Sequence, residues 1–347
     1  MRVAIATVQV PFISGGAEIL AASLRRELVR RGHLADIVTL PFKWYPVQAL
    51  RDCMEMGRRL DLSEVNGERI ERVIALKFPA YYLAHHSKVV WLLHQHRQAY
   101  DLWETPFGDL HGFEGGSELR RDIIQMDGTS LAEAKGLYTI SRRTAQRLRA
   151  YNGLAAEVLY HPPTGHERLH CSAQEPFIFY PSRIDGMKRQ TLLVEAAGLT
   201  RSGVGIVLAG GGSPESMRRL QAEIEKRDLE SRVKILGFIS EEEKIDTYSR
   251  CLAVYFGAYD EDYGYVALEA LWSSKPVIAH TDAGGPLEFI QDGVNGLVVA
   301  ADAAALASGI DGLALDTARA REMGRAGRDG LARHRMDWDH VVDTLLE

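Results

Sequence analysis

At 347 residues the chain is too long for one ordinary core and suits two domains of about 150–200 residues each. Hydrophobic residues make up 46% and charged residues 25%, the balance of a folded globular protein, and no stretch reaches the roughly 18 uninterrupted apolar residues of a membrane span. The net charge of −6 divides into 21 Lys+Arg against 18 Asp+Glu over residues 1–165 and 20 against 29 over the rest, so neither half carries the basic stripe of a nucleic-acid binder.

The opening run, residues 1–10, is apolar but lacks the basic n-region and cleavage site of a signal peptide. From there, strand-like apolar runs alternate with amphipathic helical runs. Residues 2–8, 35–40, 72–76, 89–93, 136–140 and 157–160 read as strands. Residues 17–31 read as a helix, with Ile19, Leu20, Leu24, Leu28 and Val29 at helical spacing and Gly32 as its stop. Residues 161–170, HPPTGHERLH, break the pattern and are the best linker. The alternation then restarts, with strands at 177–180, 204–209, 233–236, 252–256, 276–279 and 297–299. Ser240 and Glu243 form a capping box that opens an intervening helix. Residues 337–347 read as a last amphipathic helix bearing Trp338, Val341, Val342 and Leu345. Strands buried on both faces and joined by helices imply parallel sheets wrapped by helices. The expected fold is α/β, two doubly wound domains with ligands beyond the carboxyl ends of the strands, facing a crevice. Cys53, Cys171 and Cys251 lie far apart and outside metal-type spacing, which predicts buried small hydrophobes in a reducing, cytoplasmic setting.

Chemistry-bearing residues sit in the turns that follow strands. Ser14-Gly15-Gly16-Ala17-Glu18 follows the first strand, and its glycines serve either a tight turn or the approach of backbone amides to a phosphate at a helix start. There is no G-x-G-x-x-G, no acid closing the second strand at Leu40-Pro41, and no G-x-x-x-x-G-K-[ST], which removes dehydrogenase and P-loop readings. Residues 180–188, YPSRIDGMK, place Arg183 and Lys188 between a strand and a helix, where cations oppose the helix dipole unless an anion lies between them. Residues 260–270, DEDYGYVALEA, put Glu261 in a loop and Glu269 two helical turns later, suited to sugar and ribose hydroxyls, or else to two exposed surface acids. Tyr263, Gly264 and Tyr265 would present amides at that helix start.

Glu261 through Glu269 resembles the E-x7-E motif of retaining glycosyltransferases of family 4, the bacterial group 1 enzymes, whose fold is GT-B. The SGGAE turn, Arg183 and Lys188, Leu208-Ala209-Gly210-Gly211-Gly212, VKILGFIS at 233–240 and KPVIAHTDAGGPLEFIQDGVNG at 275–296 are similar in order and spacing. The resemblance covers residues 174–300 closely and the first half more loosely. It implies domains at 1–165 (acceptor side) and 166–334 (nucleotide-sugar side), with 335–347 crossing back to the first domain. It implies that Gly15 and Gly16 contact a diphosphate, that Arg183 and Lys188 neutralise it, and that Glu269 holds ribose. Glu261 would hold the donor sugar, and the Gly237-Phe238-Ile239 backbone the nucleobase. A histidine near the reacting centre is implied at His94, with His96 as the fallback; His96 and Arg97 are the further donor or acceptor contacts. Tyr255-Phe256-Gly257-Ala258-Tyr259 departs from the family's Pro-Ser, and Asp262 stands where proline is common, which touches sugar identity more than reaction type. Asp260-Glu261-Asp262 mimics a D-x-D metal site, but the fold's enzymes work without an essential divalent cation, so the triplet is read as hydroxyl recognition.

The expected activity is therefore transfer of a hexose from a UDP- or GDP-sugar to a sugar or lipid-linked sugar hydroxyl, in bacterial polysaccharide or glycoconjugate assembly. No cofactor, metal or nucleic acid is expected. The location is the cytoplasm, with peripheral contact at the inner face of the membrane as an open reading; oligomeric state is left open. Arg51, Arg58 and Arg59 in residues 46–60 read either as solvated surface or as an acceptor- or membrane-facing side. The alternatives are a nucleotide-sugar 2-epimerase of the same fold and an inactive sugar-nucleotide-binding partner.

Overall fold

The computed structural model describes residues 1–13 and 15–347; Ser14 of the first turn lies outside the described residues. The chain divides into two compact units, Met1–Thr164 with Met336–Glu347, and Gly165–Arg335.

The first unit runs β1 (Arg2–Gln9), α1 (Gly16–Arg30), β2 (Leu34–Pro41), α2 (Val47–Arg59), β3 (Glu64–Val65), β4 (Glu68–Arg69), β5 (Arg72–Ala75), β6 (Lys88–Leu92), α3 (Gly116–Ala132), β7 (Gly136–Thr139), α4 (Arg142–Asn152) and β8 (Glu157–Val158). Its main sheet has the order β2-β1-β5-β6-β7-β8 and is parallel throughout. β5 and β6 are wholly buried, which is why their sequences, after one buried cation at the start of each (Arg72 and Lys88), are apolar without alternation. Gly32, at φ +84°, ends α1 as predicted, since the left-handed conformation costs glycine nothing. β3 and β4 form a small antiparallel hairpin that hydrophobic patterning did not predict.

The second unit runs β9 (Phe177–Pro181), α5 (Gln190–Leu199), β10 (Gly205–Ala209), α6 (Pro214–Glu225), β11 (Val233–Ile235), α7 (Glu241–Arg250), β12 (Ala253–Phe256), α8 (Tyr265–Trp272), β13 (Val277–His280), β14 (Gly296–Val299), α9 (Ala303–Leu315) and α10 (Thr317–Leu331). Its parallel sheet has the order β11-β10-β9-β12-β13-β14. The capping box opens α7: Ser240 Oγ accepts from Glu243 N at 3.2 Å, and Glu243 Oε2 accepts from Ser240 N at 2.8 Å.

Strand order changes direction between β1 and β5 in the first sheet and between β9 and β12 in the second. The carboxyl-end loops beside such a switch point diverge and leave room for a ligand. The last helix, α11 (Trp338–Leu346), belongs to the first unit. Its Trp338 ring meets Trp91 edge-on at 6.3 Å and lies 5.7 Å from His161, and Arg72 Nη2 donates to Leu346 O at 2.6 Å.

The cysteine expectation needs one correction. Cys53 and Cys251 are buried, but Cys171 is exposed, because it lies in the extended segment leading to β9 rather than on a core-facing element.

Candidate functional site

The loops after β9 and β12 flank the switch point of the second sheet, and they bring the predicted charges together. Asp185 organises the first loop: its Oδ1 accepts from Met187 N at 2.9 Å and Lys188 N at 3.2 Å, and its Oδ2 from Arg183 Nε at 2.8 Å. Lys188 Nζ donates across to Glu261 Oε2 in a tight ion pair. Arg183 and Lys188 thus each have a carboxylate of the chain as partner, where the sequence reading placed an external anion between them. Arg183 is 68% exposed and Lys188 21%, so Lys188 is the more constrained cation.

Backbone packing fixes the same loops. The Tyr180 hydroxyl donates to Lys188 O at 2.9 Å, and Tyr259 N to Met187 O at 2.9 Å. A Cβ on Gly257 would stand 2.6 Å from Lys188 O, so only glycine lets these chains approach. Glu261 N donates to Ala283 O at 2.9 Å, and Gly285 N to Glu261 O at 2.8 Å, an isolated bridge that joins the loop after β13. Gly264, at φ +86°, precedes α8, with a Cβ position 2.3 Å from Pro286 Cγ. Tyr263 is buried against Phe289, with ring centroids 5.7 Å apart, and Tyr265 lies edge-on to Tyr263 at 5.5 Å.

Glu269 forms a second cluster. Its Oε1 accepts from Lys244 Nζ at 2.8 Å and its Oε2 from the Tyr248 hydroxyl at 2.9 Å, and the side chain is only 12% exposed. Burial opposes the charge on Lys244, but Glu269 and Glu241 outweigh it and hold its pKa above the ordinary lysine value. Burial and the Glu269 carboxylate push Tyr248 well up, so it stays a hydrogen-bond donor. Lys244 and Tyr248 lie on α7, 25 and 21 residues from Glu269, and were missed by reading motifs one at a time. Gly237 takes φ +69°, and its carbonyl accepts from Gly210 N at 2.7 Å. Phe238 is 90% exposed, with its ring beside Gly211, and Ile239 is half-buried. An exposed aromatic beside glycine backbone suits a flat ring.

In the first unit α1 begins at Gly16, and Gly15 N donates to Glu18 Oε2 at 2.8 Å. An anion bound by that amide would displace Glu18. Gly15 has extended backbone, φ −154°, which any residue adopts, so its need for glycine does not come from φ. His94 follows β6, half-buried, with Nδ1 2.6 Å from Gln95 O. His96 is buried and stacks on Phe78 with centroids 5.0 Å apart and 27° between planes. Burial, then the charges of His94 and Lys77, pull its pKa down to about 3, so it is neutral at physiological pH. His94 is the more exposed of the two. Arg97 donates to Asp101 Oδ2 through Nε at 2.9 Å and Nη2 at 2.6 Å. Behind this loop the buried Asp127 accepts from the hydroxyls of Tyr81 (2.9 Å), Tyr82 (2.7 Å) and Tyr100 (2.6 Å). Burial raises its pKa to about 6 against the lowering effect of those three donors.

The arginines of α2 are spoken for by acids: Arg51 pairs with Asp122, and Arg58 and Arg59 with Glu55 at 3.1 and 3.5 Å. They do not form a bare cationic face. Among the described residues no helix is long and apolar enough to cross a membrane, and no group of three or more His, Cys, Asp or Glu is gathered as a metal site would require. In Asp260-Glu261-Asp262, Asp260 is buried against Gly284 and Glu261 is held by Lys188.

Residues 166–330 match the model of the family described as glycosyl transferases group 1. The chain is 32% identical to a D-inositol 3-phosphate glycosyltransferase of Nocardia farcinica over 67% of its own length and 54% of that protein's. It spans about half the length of the curated relatives it matches. A sucrose-phosphate synthase structure from Thermosynechococcus elongatus superposes with a TM-score of 0.81 at 19% identity, covering 99% of this chain and 97% of that one. Anabaena HepE in complex with UDP-glucose gives 0.74 at 18%, covering 100% and 98%. The fold is therefore GT-B, with two Rossmann-like parallel-sheet domains.

Proposed function

We propose that this chain is a retaining glycosyltransferase that moves a hexose from a nucleotide diphosphate to a hydroxyl acceptor. The observation that carries the reading is the Lys188–Glu261 pair at the switch point of the second sheet, with Glu269 two helical turns further along. Both partners of that pair have a use in such a donor. The diphosphate competes with Glu261 for Lys188, and the sugar hydroxyls compete with Lys188 for Glu261. Donor binding thus exchanges one internal ion pair for two sets of charge-assisted hydrogen bonds, each worth about 1.5–3 kcal/mol.

Glu269, oriented by Lys244 and Tyr248, takes the ribose diol, and the backbone at Gly237, Phe238 and Ile239 takes the base. The amides of Tyr263, Gly264 and Tyr265, at the start of α8, favour the diphosphate through the helix dipole. Arg183 and Lys188 stabilise the phosphate as the glycosidic bond breaks. The acceptor oxygen enters on the face the diphosphate leaves, and the departing phosphate oxygen takes the acceptor proton. The products are a glycoside of unchanged anomeric configuration and a nucleoside diphosphate. Glu261 positions the sugar and is not a nucleophile. Within the first unit, the amides of Gly15 and Gly16 suit a diphosphate once Glu18 yields, and His94, with Arg97 beyond it, suits donor-sugar or acceptor hydroxyls. The acceptor is a sugar or lipid-linked sugar in glycoconjugate assembly, at the cytoplasmic side of a membrane, and the reaction proceeds without a divalent cation.

The test is turnover by the purified chain with UDP-, GDP-, ADP- and TDP-sugars, with and without chelator. UDP-glucose, the ligand in the HepE structure, is the first donor to try. Lys188→Ala and Glu269→Ala should lower donor-dependent activity at least tenfold while keeping the fold. Full activity in both overturns the site assignment. Epimerised sugar nucleotide formed from donor alone would favour the epimerase instead.

A further inference from the structure

The residue after Lys188 makes a contact that neither the motif nor the proposed chemistry uses. Arg189 has φ 54° and ψ 39°, the left-handed region that disfavours any side chain with a Cβ. From there its guanidinium crosses the face of Tyr259, 5.3 Å from the ring centroid, and reaches Asp282 in the loop after β13. The contact is bidentate: Nη1 to Oδ1 at 2.8 Å and Nη2 to Oδ2 at 2.7 Å. The side chains are 18% and 35% exposed, so the pair is partly shielded from solvent. Asp282 is tied to the neighbouring loop as well, since its carbonyl accepts from Asp260 N at 2.8 Å. Two consecutive residues, Lys188 and Arg189, therefore hold acids on two adjacent carboxyl-end loops, Glu261 and Asp282.

The two pairs differ in one respect. Lys188–Glu261 involves groups that a donor would draw apart, and Arg189–Asp282 involves groups that no donor contact requires. We infer that Arg189 and Asp282 are a positioning pair, which keeps Lys188 and Glu261 in register when the donor replaces their mutual contact. The inference rests on the proposed roles of Lys188 and Glu261. The fork-on-fork geometry specifies direction as well as distance, which a lysine in place of Arg189 would not. The left-handed backbone makes glycine the residue that this position favours on local grounds. Its occupation by arginine points to a use of the side chain.

The experiment compares kcat, donor KM and melting temperature for Arg189→Gly, Arg189→Lys, Asp282→Asn and the double variant Arg189→Gly/Asp282→Asn, with Lys188→Ala alongside. Arg189→Gly removes the guanidinium while relieving the backbone. The expected result is a kcat at least tenfold lower in Arg189→Gly and Asp282→Asn, with melting within about 2 °C of the parent. Arg189→Lys should recover part of that loss, and the double variant should be no worse than either single one, as for two halves of one contact. Losses of kcat that multiply in the double variant and follow a falling melting temperature would overturn the inference in favour of a purely structural pair. Full activity in the Arg189 and Asp282 variants with Lys188→Ala inactive would overturn it alone. Full activity in Lys188→Ala as well would overturn the proposed site beneath it. Should Arg189→Gly fail to fold, Arg189→Lys and Asp282→Asn carry the same comparison.

Discussion

The two units share an architecture but surround their buried polar groups differently. In the second, charged side chains are paired across neighbouring loops, Lys188 with Glu261 and Arg189 with Asp282, and across helices α7 and α8, Lys244 with Glu269. In the first, Arg97 and Arg147 pair with Asp101 just after β6, but beside them stand buried groups whose partners are neutral: His96 on Phe78, and Asp127 under three tyrosines. A site that handles a diphosphate needs charges whose partners a substrate can replace. A packed scaffold needs polar groups that never exchange partners.

The largest effect expected from breaking this contrast is in the second unit. Lys188→Ala and Glu269→Ala should each remove at least tenfold of turnover with circular dichroism unchanged; Lys188→Ala should keep its melting temperature, and Glu269→Ala should melt lower, because the buried Tyr248 hydroxyl and Lys244 lose an acceptor. In the first unit the readout should be stability. Asp127→Ala leaves three buried tyrosine hydroxyls without their acceptor, at about 1–3 kcal/mol each, so urea unfolding should show a loss of about 3 kcal/mol or more. A loss below about 1 kcal/mol would mean that the tyrosines find other partners.

Acid should act mainly on the first unit. His96 and His161 have folded pKa values pulled down to about 3 and about 4, chiefly by burial. Since both lie below the unfolded value near 6.5, the unfolded chain takes up protons first. Stability is then lost as pH falls from about 6.5 toward 4. Asp127 works in the other direction, its folded pKa near 6 lying above the unfolded value, so it gains stability between about pH 6 and 4. Two losses outweigh one gain, and melting followed from pH 7 to 4.5 should decline. His161→Gln should flatten the decline and Asp127→Asn should steepen it. The smallest effect belongs to Ser240→Ala, which removes the cap of α7 and should cost about 1 kcal/mol of stability. Because α7 carries Lys244 and Tyr248, a raised donor KM in that variant would tie the helix end to the ribose site.

Much of the fold was legible. The twelve predicted strands each correspond to a strand of the two main sheets, with ends shifted by a residue or two. Runs such as residues 73–75 and Ala253–Phe256 are apolar on both faces, as the interior strands of a parallel sheet covered by helices are. The β3–β4 hairpin escaped because charged residues flank it, although Asn66-Gly67, at φ 52° and φ 77°, is a strong hairpin-turn signal. Within the candidate site, Arg183, Lys188 and Glu261 could be named because each lies at a strand-to-helix junction, and Glu269 because it follows Glu261 at a fixed spacing in the next helix. Glu269's partners Lys244 and Tyr248, and the Arg189–Asp282 contact, could not, because those residues come together only after the sheet has ordered its strands.

From the order of residues alone come local properties: the period of the apolar runs, the glycines at positive φ, the capping box, and charges placed just beyond strands. Each depends on neighbours within a few positions and on the geometry of one element. Tertiary structure decided which strand lies beside which, and hence that Lys188 meets Glu261, that Arg189 reaches Asp282, that His96 is buried while His94 is not, and that Cys171 is exposed. Those outcomes depend on packing between segments tens of residues apart, where many arrangements satisfy the same local preferences and only the whole core selects one.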